Sequence, residues 1–148
     1  MNSSLVTEGN GPKPDRTIFA LLHAAHTLEA KVGNALAEVG LSMPKFAVLN
    51  ELVTVGKPLA LSELAGRLGC VKSNMTQLVD RMEADGLVKR IDDPADRRAV
   101  KAEITAQGVE KQLEGAGQMD RLHESFGAVV GAEDRAALSR MLVALDGE

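Results

Sequence analysis

Between Leu61 and Thr105 the chain reads LSELAGRLGCVKSNMTQLVDRMEADGLVKRIDDPADRRAVKAEIT. Leu61, Leu64, Ala65 and Leu68 give a short helix that stops at Gly69. Val71, Met75, Leu78, Val79 and Met82 recur at i, i+4, i+7, i+8 and i+11, the inward stripe of a second helix, and Gly86 ends it. Residues 87–91 and 99–104 read as two strands. Residues 92–98, with Pro94, read as the loop between them. Helix, glycine turn, helix and hairpin in this order form a winged helix-turn-helix. In such a motif the second helix enters the major groove of DNA by its N-terminal residues.

With the stripe inward, Lys72, Ser73, Asn74, Thr76, Gln77 and, a turn on, Asp80 and Arg81 face outward. Asn and Gln can bond adenine edges with two hydrogen bonds. Lys can reach guanine O6 and N7, and Ser or Thr can bond bases or phosphates. A solvated polar face explains this helix equally well on its own. The paired arginines favour DNA. Arg97 and Arg98 stand at the end of the hairpin loop, and arginine on a narrow hairpin can enter the negative minor groove. Asp96 is expected to fix one guanidinium by a wing salt bridge. The bland alternative is an exposed ion-pair cluster of little worth.

The flanking segments carry apolar stripes of their own. Ile18, Leu21, Leu22, Ala25, Leu28, Val32, Leu36 and Val39 follow Asp15, a suitable N-cap, and end at Gly40. Ser42 and Pro44 open a helix that stops before Gly56. Thr105 can cap a long helix containing Gly115, Gly117 and Gly127. Each glycine costs about 1 kcal/mol against alanine, so this helix is expected to bend or to lean on a partner. Glu133 and Asp134 suit the start of a last helix with Leu138, Met141, Leu142 and Leu145 apolar. The fold expected is mainly α, with a two-stranded β wing. Residues 41–105 form the DNA-binding region, residues 15–40 and 106–146 a helical dimerisation region, and residues 1–14 a flexible tail.

Composition narrows the function. The net charge is −4, which argues against nucleic acid until its distribution is considered. Residues 67–101 hold eight basic and six acidic residues, a local +2, and the remainder carries −6. Aromatics are 2%, without Trp or Tyr, so stacking platforms for single strands are missing. The one cysteine, Cys70, excludes an intramolecular disulfide. No apolar run is long enough to span a membrane and no signal peptide is recognisable, so a cytoplasmic protein is expected. His23 and His26, at i and i+3, read as a solvated or dimer-interface pair, with His23 opposite the apolar stripe; His123 reads as structural. No nucleophile set, phosphate loop or metal-ligand cluster is present, which argues against an enzyme, a cofactor or a bound metal.

The stretch LAGRLGCVKSNMTQLVDRMEADGLVKRIDDPADRRAVKAEIT resembles the winged helix of the multiple-antibiotic-resistance regulator (MarR) family. DPADRR followed by a strand and IT-x-x-G is its most specific part. The likeness extends, less specifically, to LSMPKFAVLNEL and to the last two helices, over roughly residues 16 to 146. It implies a homodimer whose N- and C-terminal helices interlock. It also implies a transcription regulator, usually a repressor on a double-stranded palindromic operator, released by a small phenolic or carboxylate ligand, an oxidant or a metal. Two positions depart from the pattern: Ala60 stands where a Ser or Thr cap is usual, and Gly66 lies inside the first helix of the motif. Peroxide-sensing relatives carry a cysteine in the first helix, which is lacking here. Cys70 occupies a position normally apolar, which implies a buried, inert thiol, although Lys72 and a helix N-terminus would favour a thiolate. A rival use of the same fold, as a protein-interaction module, would need an apolar outer face on the second helix.

Overall fold

Side-chain capping marks the start of two of the six described helices, at Ser42 and Thr105. A computed structural model describes residues 15–147, so the tail expected over residues 1–14 lies outside it. The elements are α1 (Thr17–Glu38), α2 (Met43–Val55), β1 (Leu59–Ala60), α3 (Leu61–Leu68), α4 (Lys72–Ala84), β2 (Val88–Asp93), β3 (Asp96–Ile104), α5 (Ala106–Val129) and α6 (Ala132–Asp146). Ser42 caps α2 by accepting from the Lys45 N–H at 3.4 Å, with Pro44 in the first turn. Asp15 sits one residue outside the N-cap of α1, yet its carboxylate accepts from the Thr17 N–H at 2.9 Å.

The IT-x-x-G motif acquires a physical reason. The Thr105 hydroxyl accepts from the Gly108 N–H at 3.0 Å and lies 2.6 Å from the Gly86 carbonyl, to which it donates. A Cβ on residue 108 would come within 2.1 Å of the Leu87 carbonyl oxygen, so only glycine fits. The motif thus fastens the start of α5 to the turn where the wing begins.

The sheet has three antiparallel strands in the order β1-β3-β2, not two. The short β1 pairs Leu59 with Ala102 and Ala60 with Lys101. Its two ladder positions carry no alternation that a sequence pattern could show. The core lies in the middle of the chain: Leu36, Val48, Leu49, Leu52, Leu59, Leu64, Met75, Val79, Met82 and Val88 are almost fully buried. At roughly 1.5–3 kcal/mol for each fully buried aliphatic side chain, these residues hold α2, α3, α4 and the sheet together.

The ends of the chain differ from the middle. Of the α1 stripe only Leu36 is buried; Ile18 and Leu22 are 72% and 63% exposed, and Phe19 beside them, outside the stripe, is 73% exposed. No residue of α6 is buried, and Met141, Val143 and Leu145 are exposed. The α5 helix is continuous despite its glycines. Gly115 has its reason within the chain: a Cβ there would lie 2.5 Å from the Phe46 ring of α2. That glycine marks a close helix crossing, and does not by itself point to a partner.

Candidate nucleic-acid interface

The α3–turn–α4 unit presents α4 on the surface with Met75, Val79 and Met82 buried beneath it. Lys72, Ser73, Asn74, Gln77 and Arg81 are exposed, and Thr76 is half-buried. The Thr76 hydroxyl donates to the Lys72 carbonyl at 3.1 Å. These side chains divide between two flanks. Lys72 and Thr76 line a cleft of about 210 Å³ shared with Arg90 and Arg98 of the wing. Asn74, Gln77 and Arg81 line the opposite flank, beside Pro44 and Cys70.

Two positions depart from the sequence expectation. Val71 is not part of the inward stripe. It is the N-cap of α4, with φ −69° and ψ 139°, 65% exposed and making no side-chain cap bond. Helical periodicity does not extend to a cap residue whose backbone is still extended. Cys70 is exposed, not buried: the turn leaves its Sγ at the surface, 3.7 Å from the Leu68 carbonyl oxygen.

The wing turn is shorter than the sequence suggests. Asp93 pairs with Asp96, so only Pro94 and Ala95 form the turn, and a bulge follows Asp92. Pro94 breaks no ladder there, because a turn residue has no strand partner for an N–H. Arg97 and Arg98 therefore stand on β3, not in a loop. Residues 97–99 have no ladder partner, because the register slips between Asp92 and Asp93; Arg98 lines the cleft beside Lys72, whereas Arg97 is exposed outside it. Asp96 forms no salt bridge with either arginine among the described residues. Its carboxylate instead accepts from the Arg98 backbone N–H at 3.0 Å, the bond a short side chain makes most readily at a turn. Asp93 accepts likewise from the Ala95 N–H at 3.0 Å. That bond, with a smaller contribution from Lys101, holds the Asp93 carboxyl below the ordinary carboxylate range.

Ion pairing sorts the basic residues of the patch. Arg67 is engaged by Glu63 and Glu51 at 3.2 and 3.5 Å, Lys101 by Asp93 at 3.4 Å, and Arg90 by Asp80. Lys72, Arg81, Lys89, Arg97 and Arg98 have no ion-pair partner among the described residues. The uncompensated positive charge thus lies on α4 and the hairpin, which suits a polyanion. Arg90 was not expected at the site. Its partners on α4 lie 7 to 14 residues earlier, across the turn at Gly86, and no local period betrays them. Its backbone N–H donates to Glu83 Oε2 at 2.7 Å, and its Nη2 donates to the Thr76 carbonyl at 3.5 Å. Its Nε is shut off from solvent without a hydrogen-bond partner.

Elsewhere, His23 does not lie opposite the apolar face. It lines a groove of about 460 Å³ between α1 and α5 with Leu28, Val32 and Phe126. His26 is exposed. Among the described residues no group of three His, Cys, Asp or Glu side chains is placed to hold a metal ion, and no helix is long and apolar enough to cross a membrane.

A polar helix projected from a helix-turn-helix, flanked by a cationic hairpin, defines a winged helix-turn-helix DNA-binding fold. The MarR family model matches residues 41–100. The HTH-type transcriptional regulator TtmR of Methylorubrum extorquens is 32% identical over 132 residues, 88% of this chain and 65% of that protein. An organohalide-sensing transcriptional regulator solved in a 2,4-dichlorophenol-bound form shares the fold with a TM-score of 0.79 at 23% identity, over 97% of this chain and 89% of that one. A mutant MarR from E. coli complexed with operator DNA does so with a TM-score of 0.76 at 20% identity, over 90% and 98%. The chain spans about half to two thirds of the length of most of the curated relatives it matches. Residues 41–100 are thus a MarR-family segment, and members of that family are transcription regulators rather than enzymes.

Proposed function

We propose that this regulator binds a palindromic operator in the cytoplasm as a homodimer, most often to repress, and that a small phenolic or carboxylate ligand releases it. The observation that carries the DNA-binding part is the placement of Lys72, Arg81, Arg97 and Arg98 on α4 and the hairpin without acidic partners. In this reading Ser73, Asn74, Thr76 and Gln77 meet base edges or phosphates in the major groove, and the wing arginines reach the backbone or minor groove. The polar outer face of α4 argues against a protein-interaction module.

Dimerisation follows from exposure. Ile18, Phe19 and Leu22 on α1, and Met141, Val143 and Leu145 on α6, form apolar surface that nothing among the described residues covers. Faces of this kind mark interaction sites. Residues 15–40 and 106–146 therefore dimerise, and residues 41–105 read DNA. The ligand class is suggested by the dichlorophenol-bound relative of the same fold. A gel shift on DNA flanking the coding sequence tests the reading. A discrete complex that resists scrambled competitor, and that a phenol or aryl carboxylate dissociates, is the expected result. Equal retardation of every duplex would defeat the claim of sequence-specific binding.

A further inference from the structure

We propose that Arg90 is a positioning residue that locks the wing to the recognition helix α4, so that the two engage DNA in fixed register. The proposal rests on the DNA-binding reading above and adds a device to it. Arg90 lies mid-hairpin on β2, opposite Ala102 of β3. From there it reaches Thr76 and Asp80 with its guanidinium and Glu83 with its backbone N–H. These three residues occur at i, i+4 and i+7, one face of α4 across two turns. Among the described residues, the only hydrogen bonds and ion pair joining the β2–β3 hairpin to α4 are those of Arg90.

The consequence is mechanical. A hairpin held only at its base can swing relative to the helix beside it. Reading bases with α4 while touching phosphates with Arg98 requires one fixed separation between them. Fixing that separation before binding removes an ordering cost from the complex. The buried, unpartnered Nε shows that the guanidinium is held there at some cost in desolvation. The Asp80 carboxylate makes the role testable. Asp80 is half exposed on the face meant for DNA, where its charge alone would repel phosphates. As a bare charge it should weaken binding to any duplex; as the anchor of Arg90 it should strengthen binding to the operator alone.

Asp80→Asn separates these roles. Fluorescence anisotropy of the full chain, at one salt concentration, on operator and on scrambled duplex gives both affinities. Hydrogen–deuterium exchange of the DNA-free protein reports on the wing independently. The expected result is an operator affinity lowered about tenfold, a scrambled-duplex affinity unchanged or raised, and faster amide exchange over residues 88–104 with α2 and α5 unaltered. The charge-exchanged pair Asp80→Arg with Arg90→Asp should recover part of the operator affinity. Equal shifts in the two affinities overturn the proposal, and so does unchanged exchange in the wing. If the wild-type chain itself does not distinguish operator from scrambled DNA, the function proposed above falls, and wing exchange alone then decides whether the clamp exists.

Discussion

Replacing Arg97 or Arg98 by alanine isolates the contribution of the wing. Both side chains are exposed on β3 and neither is ion-paired among the described residues, so neither deletion orphans a buried charge. The fold should lose no more than about 0.5 kcal/mol, the usual effect of a surface substitution. Binding should change much more. Each phosphate contact contributes about 0.9 to the slope of log K against log salt. In a homodimer one substitution removes two contacts, so the slope should fall by about 1.8. At 0.15 M salt that counterion term corresponds to roughly a 30-fold loss of affinity, about 2 kcal/mol. Arg98, which shares the cleft with Lys72, should show the full effect. Anisotropy titrations at four salt concentrations, with thermal melts as a control on folding, measure slope and stability together. Two variants that keep the wild-type slope and affinity would remove the wing from the mechanism.

Other expectations follow from single residues. Gln77→Ala should relax base preference at one position of each half-site by about 1–3 kcal/mol, read by binding-site selection; identical preferences in mutant and wild type would show that Gln77 reads no base. Val71→Ser should stabilise the protein, because an exposed, extended N-cap without a cap bond gains an acceptor. The gain is about 1 kcal/mol, or about 2–4 °C in Tm for a chain of this size; a lower Tm would contradict it. Cys70, being exposed, should react with a thiol reagent in the native protein, and labelling only after denaturation would restore the buried reading. The Asp93 carboxyl, held below its ordinary 3.8 by the Ala95 N–H, should strengthen the wing turn above about pH 4 and lose that effect as pH falls through its lowered pKa. The Ala95 amide NMR shift should titrate with a midpoint below 3.8, and a midpoint above it would refute the bond.

Features encoded by neighbouring residues were legible in the sequence. The Ser42 and Thr105 caps, the glycine ends of α2 and α3 and the inward Met75, Val79 and Met82 are all set within a turn or two of chain. Features that depend on distant residues were not. Strand β1 exists because Leu59 meets Ala102, and Gly115 is required because Phe46 packs on it. Arg90 matters because the chain folds it back onto Thr76 and Asp80. Pro94 suggested a long loop, but the turn needs only two residues, which moved both arginines onto a strand. Val71 was misplaced because periodicity was carried across a helix boundary into a cap residue, and Cys70 because a position that is normally apolar in the family was taken as buried. The candidate DNA-reading residues of α4 were found because an amphipathic helix has only one outer face.

The central claim is a homodimer that reads DNA through two copies of α4. Multi-angle light scattering of the full chain, alone and on a duplex bearing two half-sites one turn apart (about 34–36 Å), tests it most directly. The free protein should have twice the chain mass of 15.7 kDa at micromolar concentration, and the complex should hold two chains per duplex. Removal of residues 133–148, which takes most of the exposed apolar face of α6, should abolish both dimer and complex. A stable 15.7 kDa monomer that still binds its operator tightly would contradict this architecture.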